Sequence, residues 1–366
     1  MNFSLNKNEL TDALITLIKI TPTRTTLPIL STVLIKTEED KGVRIRTTDL
    51  EVDMEFFIQA KILEQGETCA PIHRLYEIIN TLTEENLTIN INEAQRMKIK
   101  TQTGQYFISC NKTEEFPEDR LVEGEPTKIS AKFLNDTIRN TLYATSKDEL
   151  KPTLNGVLLS CNSGGITAVA TDGHRLVKYV YPQKNTEATT TLIPQKFLQI
   201  ISGGTINVKK AELEIYENHA IIKTTNKKIS TRLIKEKFPD YDNVIPEKNP
   251  NTTKVNTQEL LNKLKRVSLM SNKTTKQVVL KLNENKITAS AEDHETGGSA
   301  VDEIDSQHTG KECVIGFNGV LLLEILRHQK TEKINLLTSS PLGAMLIEQE
   351  NEKETETTTL LMPIRI

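Results

Sequence analysis

The sequence predicts an α+β protein made of three tandem domains. Three blocks of similar length end in an apolar residue followed by proline, at Phe116-Pro117, Phe238-Pro239 and Met362-Pro363. The starts recur as well, because Thr127–Ser130 after the first block resembles Thr253–Asn256 after the second. A repeat of roughly 120 residues is the size of a small autonomous domain and far longer than a solenoid unit. The predicted domains are residues 1–122, 123–249 and 250–366.

Each block opens with a short strand and an amphipathic helix. Apolar residues recur at helical spacing in these first helices, which indicates one core-facing side. The residues are Leu10, Ala13, Leu14, Leu17 and Ile18; Phe133, Leu134, Ile138 and Leu142; and Leu260, Leu261, Leu264 and Val267. Alternating or continuous apolar runs then predict strands. These runs are Ser31–Ile35, Val43–Arg46 and Val52–Ile58; Asn155–Leu159, Ile166–Ala170 and Leu176–Tyr181; and Val278–Leu282 and Ile287–Ala291.

A second helix and three more strands complete each block. The helices carry Leu75, Ile78, Ile79 and Leu82; Phe197, Ile200 and Ile201; and Leu322, Ile325 and Leu326. The predicted strands are Leu87–Ile91, Met97–Thr101 and Tyr106–Cys110; Glu212–Tyr216, Ala220–Thr224 and Ile229–Ile234; and Ile334–Thr338, Ala344–Glu348 and Thr358–Ile364. This order is typical of antiparallel sheet covered by helices. Residues 118–126 and 246–252 are the predicted linkers, and acidic residues 348–356 a solvated hairpin loop.

Composition disfavours three classes of protein: basic nucleic-acid coats, disulfide-rich or zinc-binding proteins, and membrane-spanning proteins. The net charge of −3 with 26% charged residues argues against an overall basic coat for nucleic acid, so any DNA contact must use local charge. Cys69, Cys110, Cys161 and Cys313 show neither paired nor zinc-ligand spacing, which favours free thiols. Met1–Ile20 does not resemble a signal peptide, and no apolar run is long enough to span a bilayer. We therefore expect a cytoplasmic protein without membrane contact.

Sequence motifs for catalysis are missing. The chain has no phosphate-binding glycine loop, HExxH or GxSxG motif, so no cofactor is expected. Asp49 and Asp53 would share one face of a strand, but no third carboxylate is implied nearby, which disfavours a metal site. The most conspicuous polar run is Thr171–Leu176, in which Asp172-Gly173 is a turn signal beside His174. No nucleophile or second acid lies at motif spacing, so we expect no enzymatic activity.

Several fragments together resemble one known family. Ala170–Leu176, preceded by Leu154–Gly156 and followed by Phe238–Tyr241 and Met362–Ile366, resembles the bacterial DNA polymerase III beta subunit, the DNA sliding clamp family. Arg24 with Leu27–Leu30, and Gly316–Asn318, extend the resemblance over essentially the whole chain. The resemblance implies a head-to-tail homodimeric ring of the DNA-clamp type, with helices inside and antiparallel sheets outside. Such a ring encircles duplex DNA without reading its sequence and catalyses no reaction.

The resemblance also implies three sets of functional residues. A peptide groove would bind the DNA polymerase III catalytic subunit, the clamp loader, and other polymerases and repair proteins. It would have an apolar floor of Leu176, Val244, Leu360 and Met362 and a polar rim of His174 and Arg175; its other residues would be Leu154, Thr171, Gly173, Pro239, Asn318, Pro363, Ile364 and Arg365. DNA would be contacted by Arg24, Arg74, Lys147, Lys151 and Lys196. The dimer interface would contain Arg96, Phe107, Ile108, Leu269, Met270, Asp293 and Glu295, with the two acids facing Arg96, Lys98 or Lys100.

Two other hypotheses remain open at the level of sequence. The first is a monomeric DNA-binding scaffold that does not encircle DNA, which the mass in solution would distinguish from a dimer. The second is an enzyme, such as a metal-assisted hydrolase, that uses Asp172 and His174. In that case an alanine at His174 would abolish turnover while leaving partner binding intact.

Overall fold

The computed structural model describes residues 1–39, 41–118, 124–163, 165–182, 188–205, 211–350 and 355–366. The predicted order of strand, helix, strands, helix and strands is present three times. The first repeat contains β1 (Asn2–Asn6), α1 (Lys7–Leu17), β2 (Thr32–Glu38), β3 (Gly42–Thr48), β4 (Val52–Ile58), β5 (Ala60–Glu64), β6 (Glu67–Pro71), α2 (Ile72–Thr81), β7 (Asn86–Ile91), β8 (Arg96–Lys100) and β9 (Gln105–Ser109).

The second and third repeats follow the same order. The second contains β10 (Thr127–Ile129), α3 (Ala131–Thr141), β11 (Gly156–Asn162), β12 (Gly165–Thr171), β13 (Arg175–Tyr181), β14 (Thr189–Pro194), α4 (Gln195–Ile200), β15 (Leu213–Ile215), β16 (His219–Lys223) and β17 (Lys227–Arg232). The third contains β18 (Asn251–Asn256), α5 (Thr257–Val267), β19 (Gln277–Leu282), β20 (Lys286–Asp293), β21 (Gly298–Thr309), β22 (Cys313–Asn318), α6 (Gly319–Arg327), β23 (Lys333–Thr338), β24 (Met345–Gln349) and β25 (Glu356–Leu361). The predicted α+β class is confirmed.

Asparagine side chains cap the first turns of α5 and α6. Asn256 accepts a hydrogen bond from the backbone amide of Glu259 at the start of α5. Asn318 accepts from the amides of Val320 and Leu321 at the start of α6. These bonds satisfy amides that have no partner within the helix. Asn318, which the resemblance placed in the peptide groove, therefore has a structural role as the cap of α6.

The described residues form two compact units. The first unit comprises Met1–Leu134 with Lys196–Leu233, and the second comprises Asn135–Gln195 with Ile234–Ile366. The middle repeat is divided between the two units. The predicted domain boundaries remain a prediction, and the one at 122/123 lies outside the described residues, as do residues 119–123 of the first linker and 351–354 of the acidic loop.

All paired strands in the two units are antiparallel. The first unit contains a five-stranded sheet in the order β5-β1-β7-β8-β9 and an eight-stranded sheet in the order β10-β15-β16-β17-β4-β3-β2-β6. The second unit contains a twelve-stranded sheet in the order β14-β11-β12-β13-β25-β24-β23-β18-β21-β20-β19-β22. Pairing of β17 with β4, and of β13 with β25, joins strands of neighbouring repeats. No helix in the described ranges is both long and apolar enough to cross a lipid bilayer.

A buried ion pair ties the end of the first repeat to its sheet. Arg46 is 3% exposed, and its Nε lies 2.9 and 3.0 Å from the two carboxylate oxygens of Asp53. The same guanidinium donates to the backbone carbonyls of Pro117 and Glu118 at 2.7 and 3.0 Å. The Asp53 carboxylate is thus paired with Arg46, a cation of the same sheet. Among the described residues, no cluster of His, Cys, Asp or Glu has the geometry of a metal site.

We expect Arg46→Ala to lower the free energy of unfolding by about 3 to 5 kcal/mol, because it leaves the buried Asp53 carboxylate without its partner. Urea denaturation followed by circular dichroism measures this loss. Arg74→Ala is the matched control, because Arg74 is exposed and its 3.6 Å ion pair with Glu77 is on the surface. Equal stability of the two variants would contradict the prediction.

Candidate functional site: a tied turn, a C-terminal tail and an apolar surface

The turn between β12 and β13 is built by its own side chains. Asp172 Oδ1 accepts hydrogen bonds from the backbone amides of His174 at 2.9 Å and Arg175 at 3.0 Å. Thr171 Oγ1 accepts from the Gly173 amide at 3.1 Å and donates to the Arg175 carbonyl at 2.6 Å. Such local bonds are the reason Asp and Thr are favoured in turns. Gly173 has φ +90°, which glycine adopts without the strain of a Cβ.

Arg175 lies inside the protein. Its side chain is 5% exposed and contacts Asp172 of the turn and Glu324 of α6. The expectation that Arg175 forms a polar rim is therefore wrong, whereas His174 is exposed as predicted. The described bonds of the Asp172 carboxylate go to backbone amides and to the guanidinium. This arrangement gives no support to a catalytic pair of Asp172 and His174.

The C-terminal residues run from β25 past the turn to the edge strand β22. Arg175 pairs with Leu361 and Leu176 with Leu360 in the β13–β25 ladder. Beyond the ladder, the Met362 amide donates to the His174 carbonyl at 2.8 Å, and the Ile364 amide donates to the Gly316 carbonyl at 2.8 Å. The predicted strand Thr358–Ile364 thus ends at Leu361 instead. Pro363 has no amide hydrogen to continue the ladder.

An apolar layer underlies this region. The layer contains Val169, Leu176, Leu192, Phe238, Ala344, Leu346 and Leu360. Leu176 and Leu360 are each 2% exposed, so they support the surface from below and are not an open floor, which corrects that part of the prediction. Val244 and Met362 are 51% and 42% exposed, and they offer the apolar contact area. Leu154, Pro363 and Ile364 are half-buried, and Pro239 and Arg365 are exposed.

The segment that carries Val244 is tied to β13. Lys178 Nζ lies 2.9 Å from Asp242 Oδ1, and it also lies 5.4 Å from the centre of the Tyr241 ring. Burial alone would lower the pKa of Lys178, but the hydrogen bond that Lys178 donates to the Asp242 carboxylate raises this pKa above its ordinary value. The ammonium group therefore stays charged and holds the 3₁₀ turn Asp242–Val244 against the sheet.

A second candidate surface is the edge strand β9 of the first unit. Phe107 is 50% exposed, and the Arg96 guanidinium lies 4.5 Å from the centre of its ring. Lys98 lies 6.0 Å from the same ring. An unpaired strand edge that carries an exposed aromatic ring is suited to pairing with another chain. The Ile108 side chain is 5% exposed and packs within its own unit, so only its backbone on the edge strand could take part in the predicted interface, which stays a prediction.

A third candidate surface lies at β21 and the preceding loops of the second unit. Residues 298–305 of β21 pair with β20, and only residues 306–309 pair with β18, so the first part of β21 has one edge without a strand partner in the described chain. Leu269 and Met270 are exposed nearby, at 77% and 43%, and the Met270 sulfur lies 3.5 Å from the position a Cβ of Gly298 would take. Glu295 is also exposed.

The Asp293 carboxylate is held by hydrogen bonds within its own chain, and its predicted contact with the cations of a second chain stays a prediction. Its carboxylate accepts hydrogen bonds from Thr296 Oγ1 at 2.7 Å, Asn272 Nδ2 at 3.0 Å and the Glu295 amide at 3.2 Å. The bonds from Thr296 and Asn272 lower the pKa of Asp293. The carboxylate therefore stabilises its own loop.

Three family models match the chain in order. The N-terminal domain of the DNA polymerase III beta subunit matches residues 1–120, the central domain residues 128–240 and the C-terminal domain residues 242–365. The chain belongs to the DNA polymerase III beta subunit family. Its sequence is 26% identical to the beta sliding clamp of Chlamydia muridarum over 370 residues, covering 100% of this chain and 99% of the relative. It is also 26% identical to the beta sliding clamp of Haemophilus influenzae over 375 residues, covering 100% of both chains.

Solved structures of beta subunits share the three-domain fold. The sliding clamp of Bacillus subtilis has a TM-score of 0.93 at 24% identity, covering 100% of this chain and 99% of that one. The beta subunit of Pseudomonas aeruginosa bound to griselimycin has a TM-score of 0.90 at 25% identity and covers 100% of both chains. The predicted family and fold class are confirmed.

The cations expected to contact DNA differ in their surroundings in this beta subunit. Lys196 forms an ion pair with Asp49, whose side chain is largely buried, so the Asp49 carboxylate has a cationic partner within its own unit. Arg74 lies 3.6 Å from Glu77, and Lys151 lies 3.9 Å from Asp148. Arg24 and Lys147 are exposed. Neighbouring carboxylates therefore offset part of the charge of this set.

Proposed function

We propose that this beta subunit is a DNA sliding clamp, a processivity factor that encircles duplex DNA and tethers replication and repair proteins to it. The observation that carries the proposal is the match of all three beta subunit domains, in order, along the chain. Sliding clamps are non-catalytic, which agrees with the occupied Asp172 carboxylate. The proposed location is the cytoplasm, where replication takes place.

Two copies would close a ring head to tail. The edge of β9, with Arg96, Lys98 and Phe107, would pair with the free edge of β21 in the other copy. Leu269 and Met270 would pack across this interface, and Glu295 would supply a negative charge opposite the cations. Support comes from the complementary edges and charges, because exposed edges pair readily and a head-to-tail contact that closes gives a ring.

A closed ring around the duplex would retain DNA even if each contact with the DNA is weak. Duplex DNA carries about one negative charge per 1.7 Å of its axis, so exposed lysine and arginine attract it without reading bases. The net charge of −3 and the partly offset cations favour loose contact. A ring that holds DNA by topology therefore needs no tight phosphate grip and can slide.

The surface around Val244, Met362 and His174 would bind short peptides of the DNA polymerase III catalytic subunit, the clamp loader, other polymerases and repair proteins. Burial of two or three apolar side chains contributes roughly 1.5 to 3 kcal/mol each, reduced by the cost of ordering the peptide. The sum of about 3 to 9 kcal/mol, less this cost, sets an upper limit to the affinity of about 1 μM, near −8 kcal/mol. Binding of that strength allows partners to exchange.

The deciding experiment compares closed and linear DNA. Clamps loaded on a nicked circular plasmid should remain bound through gel filtration and leave when a restriction enzyme linearises the plasmid. Equal retention on circular and linear DNA would exclude encirclement. Light scattering at micromolar concentration tests the ring separately, because a monomer would favour the open scaffold instead.

We expect that replacing Arg24, Lys147 and Lys151 by alanine slows loading and flattens its salt dependence. Each lost phosphate contact reduces the slope of log affinity against log salt by about 0.9, so three contacts account for roughly 2 to 3. Loading rates on circular DNA at several salt concentrations measure the change. A variant with Lys235, Lys237 and Lys248 replaced removes the same charge from another exposed segment and is the control. Identical slopes for the two variants would refute these DNA contacts.

A further inference from the structure

The guanidinium of Arg175 joins three separate parts of the second unit. Its Nε lies 3.1 Å from Asp172 Oδ2 in the turn, and its Nη1 lies 2.9 Å from Glu324 Oε2 on α6. Its Nη2 donates to the backbone carbonyl of Tyr143. The guanidinium carbon also lies 5.2 Å from the centre of the Tyr143 ring. A planar guanidinium can satisfy several acceptors at once, which an ammonium group cannot do in this geometry.

The opposite side of this cluster is closed by a stacked pair of rings. The rings of Tyr143 and His328 lie 3.9 Å apart at an angle of 13°. His328 Nδ1 lies 2.8 Å from the backbone carbonyl of Glu324, one helical turn earlier. Burial raises the pKa of the Tyr143 hydroxyl, so the ring stays neutral. Glu324 and His328 thus hold Tyr143 and Arg175 from one end of α6.

The cluster reaches the exposed turn through Asp172. One carboxylate oxygen of Asp172 accepts from the Arg175 guanidinium, and the other accepts from the amides of His174 and Arg175. The position of the Arg175 guanidinium therefore determines the position of the Asp172 carboxylate, and the carboxylate determines the backbone conformation of residues 172–175. The His174 carbonyl accepts a hydrogen bond from the Met362 amide, so a change in the turn would also displace Met362, the first residue of the C-terminal tail.

We infer that Glu324 and Tyr143 are positioning residues for the partner-binding surface. They hold Arg175 in the interior, where it sets the conformation of the His174 turn and the tail and does not contact the bound peptide. This inference rests on the proposed peptide-binding function of that surface. A buried charge held by several bonds is a rigid support, and loss of one bond leaves the others weakly oriented.

The test uses the whole chain of residues 1–366 and the tightest-binding peptide from an overlapping set that covers the DNA polymerase III catalytic subunit of the same organism. Glu324→Gln should weaken this peptide three- to tenfold and speed amide hydrogen exchange at His174 and Met362. Glu324→Asp keeps the charge but shortens the side chain, so its loss of peptide affinity should be smaller than that of Glu324→Gln. This variant replaces Glu324→Gln in the test if Glu324→Gln folds poorly. Glu332→Gln is the matched control on an exposed glutamate beyond α6 and should change neither quantity.

A double-mutant cycle tests whether Glu324 and Asp172 affect peptide binding through the same residue, Arg175. Asp172→Asn combined with Glu324→Gln should cost less affinity than the product of the two single losses, because both act through Arg175. Independent losses, or an unchanged affinity in both Glu324 variants while Met362→Ala weakens binding, would overturn the inference and leave the binding surface intact. If Met362→Ala also leaves the affinity unchanged, the proposed peptide-binding surface itself fails.

Discussion

Deleting Met362–Ile366 should weaken the binding of partner peptides at least tenfold, or by about 1.4 kcal/mol or more. The deleted segment carries the half-exposed Met362 side chain and two backbone bonds, from Met362 to His174 and from Ile364 to Gly316. Its loss removes one side of the binding surface and releases the His174 turn. Isothermal titration calorimetry with a polymerase-derived peptide measures the change.

The control for this deletion is a shorter one. Removal of Ile366 alone leaves Arg365 and both backbone bonds in place and should leave the affinity unchanged. Because the deletion begins after the last strand ends at Leu361, the sheet should persist, and circular dichroism and mass in solution should match the parent. A truncated chain that binds the peptide with unchanged affinity would exclude this surface even if the protein proves to be a clamp.

Replacing Leu269 and Met270 together by alanine should convert the proposed dimer to monomer. These side chains are 77% and 43% exposed, and a closed ring would bury one copy of each at both of its interfaces. Truncation of a buried Leu or Met to Ala costs about 2 to 5 kcal/mol, so the loss over two interfaces would be large compared with the affinity of a typical dimer. Multi-angle light scattering measures the mass, and retention on nicked circular DNA should fall with it.

Leu63 and Leu342 provide the control for this prediction. They are exposed at 60% and 66%, and their replacement by alanine removes similar apolar area from other surfaces. This control should stay dimeric and remain on circular DNA. If the Leu269 and Met270 variant also stays dimeric at low micromolar concentration, the ring closes through other contacts.

The repeated pattern of elements could be predicted from sequence because it depends on local periodicity. The apolar stripe of α5, Leu260, Leu264 and Val267, is buried as its helical spacing indicates. Strands β5 and β6 were missed because charged residues such as Lys61 and Glu67 interrupt their apolar pattern. Strand β21 was missed for a related reason: residues 298–305 are mostly small or acidic, and among them only Ile304 is buried.

The surroundings of charged residues could not be predicted, because they depend on contacts distant in sequence. Arg175 was expected at the surface, but its partner Glu324 is 149 residues away and no local pattern reveals it. Ile108 follows two exposed aromatic residues, so their exposure does not extend to it. Conversely, the turn at Thr171–Arg175 was recognised because the side chains of Thr171 and Asp172 that shape it bond to the backbone within five consecutive residues.

The joining of β13 to β25 limits how such a protein can be taken apart. A fragment cut at the start of the third repeat would carry β25 with one bare side, since six of its residues, Glu356 to Leu361, pair with β13 of the preceding repeat. Backbone amides and carbonyls exposed in this way can pair with strands of other chains and so promote aggregation. The same holds for β4, which loses β17 when the first repeat is excised. A genetic exchange that swaps one repeat for a foreign copy must therefore bring a strand that fits the neighbour's ladder, so the covalent repeat and the cooperative folding unit do not coincide.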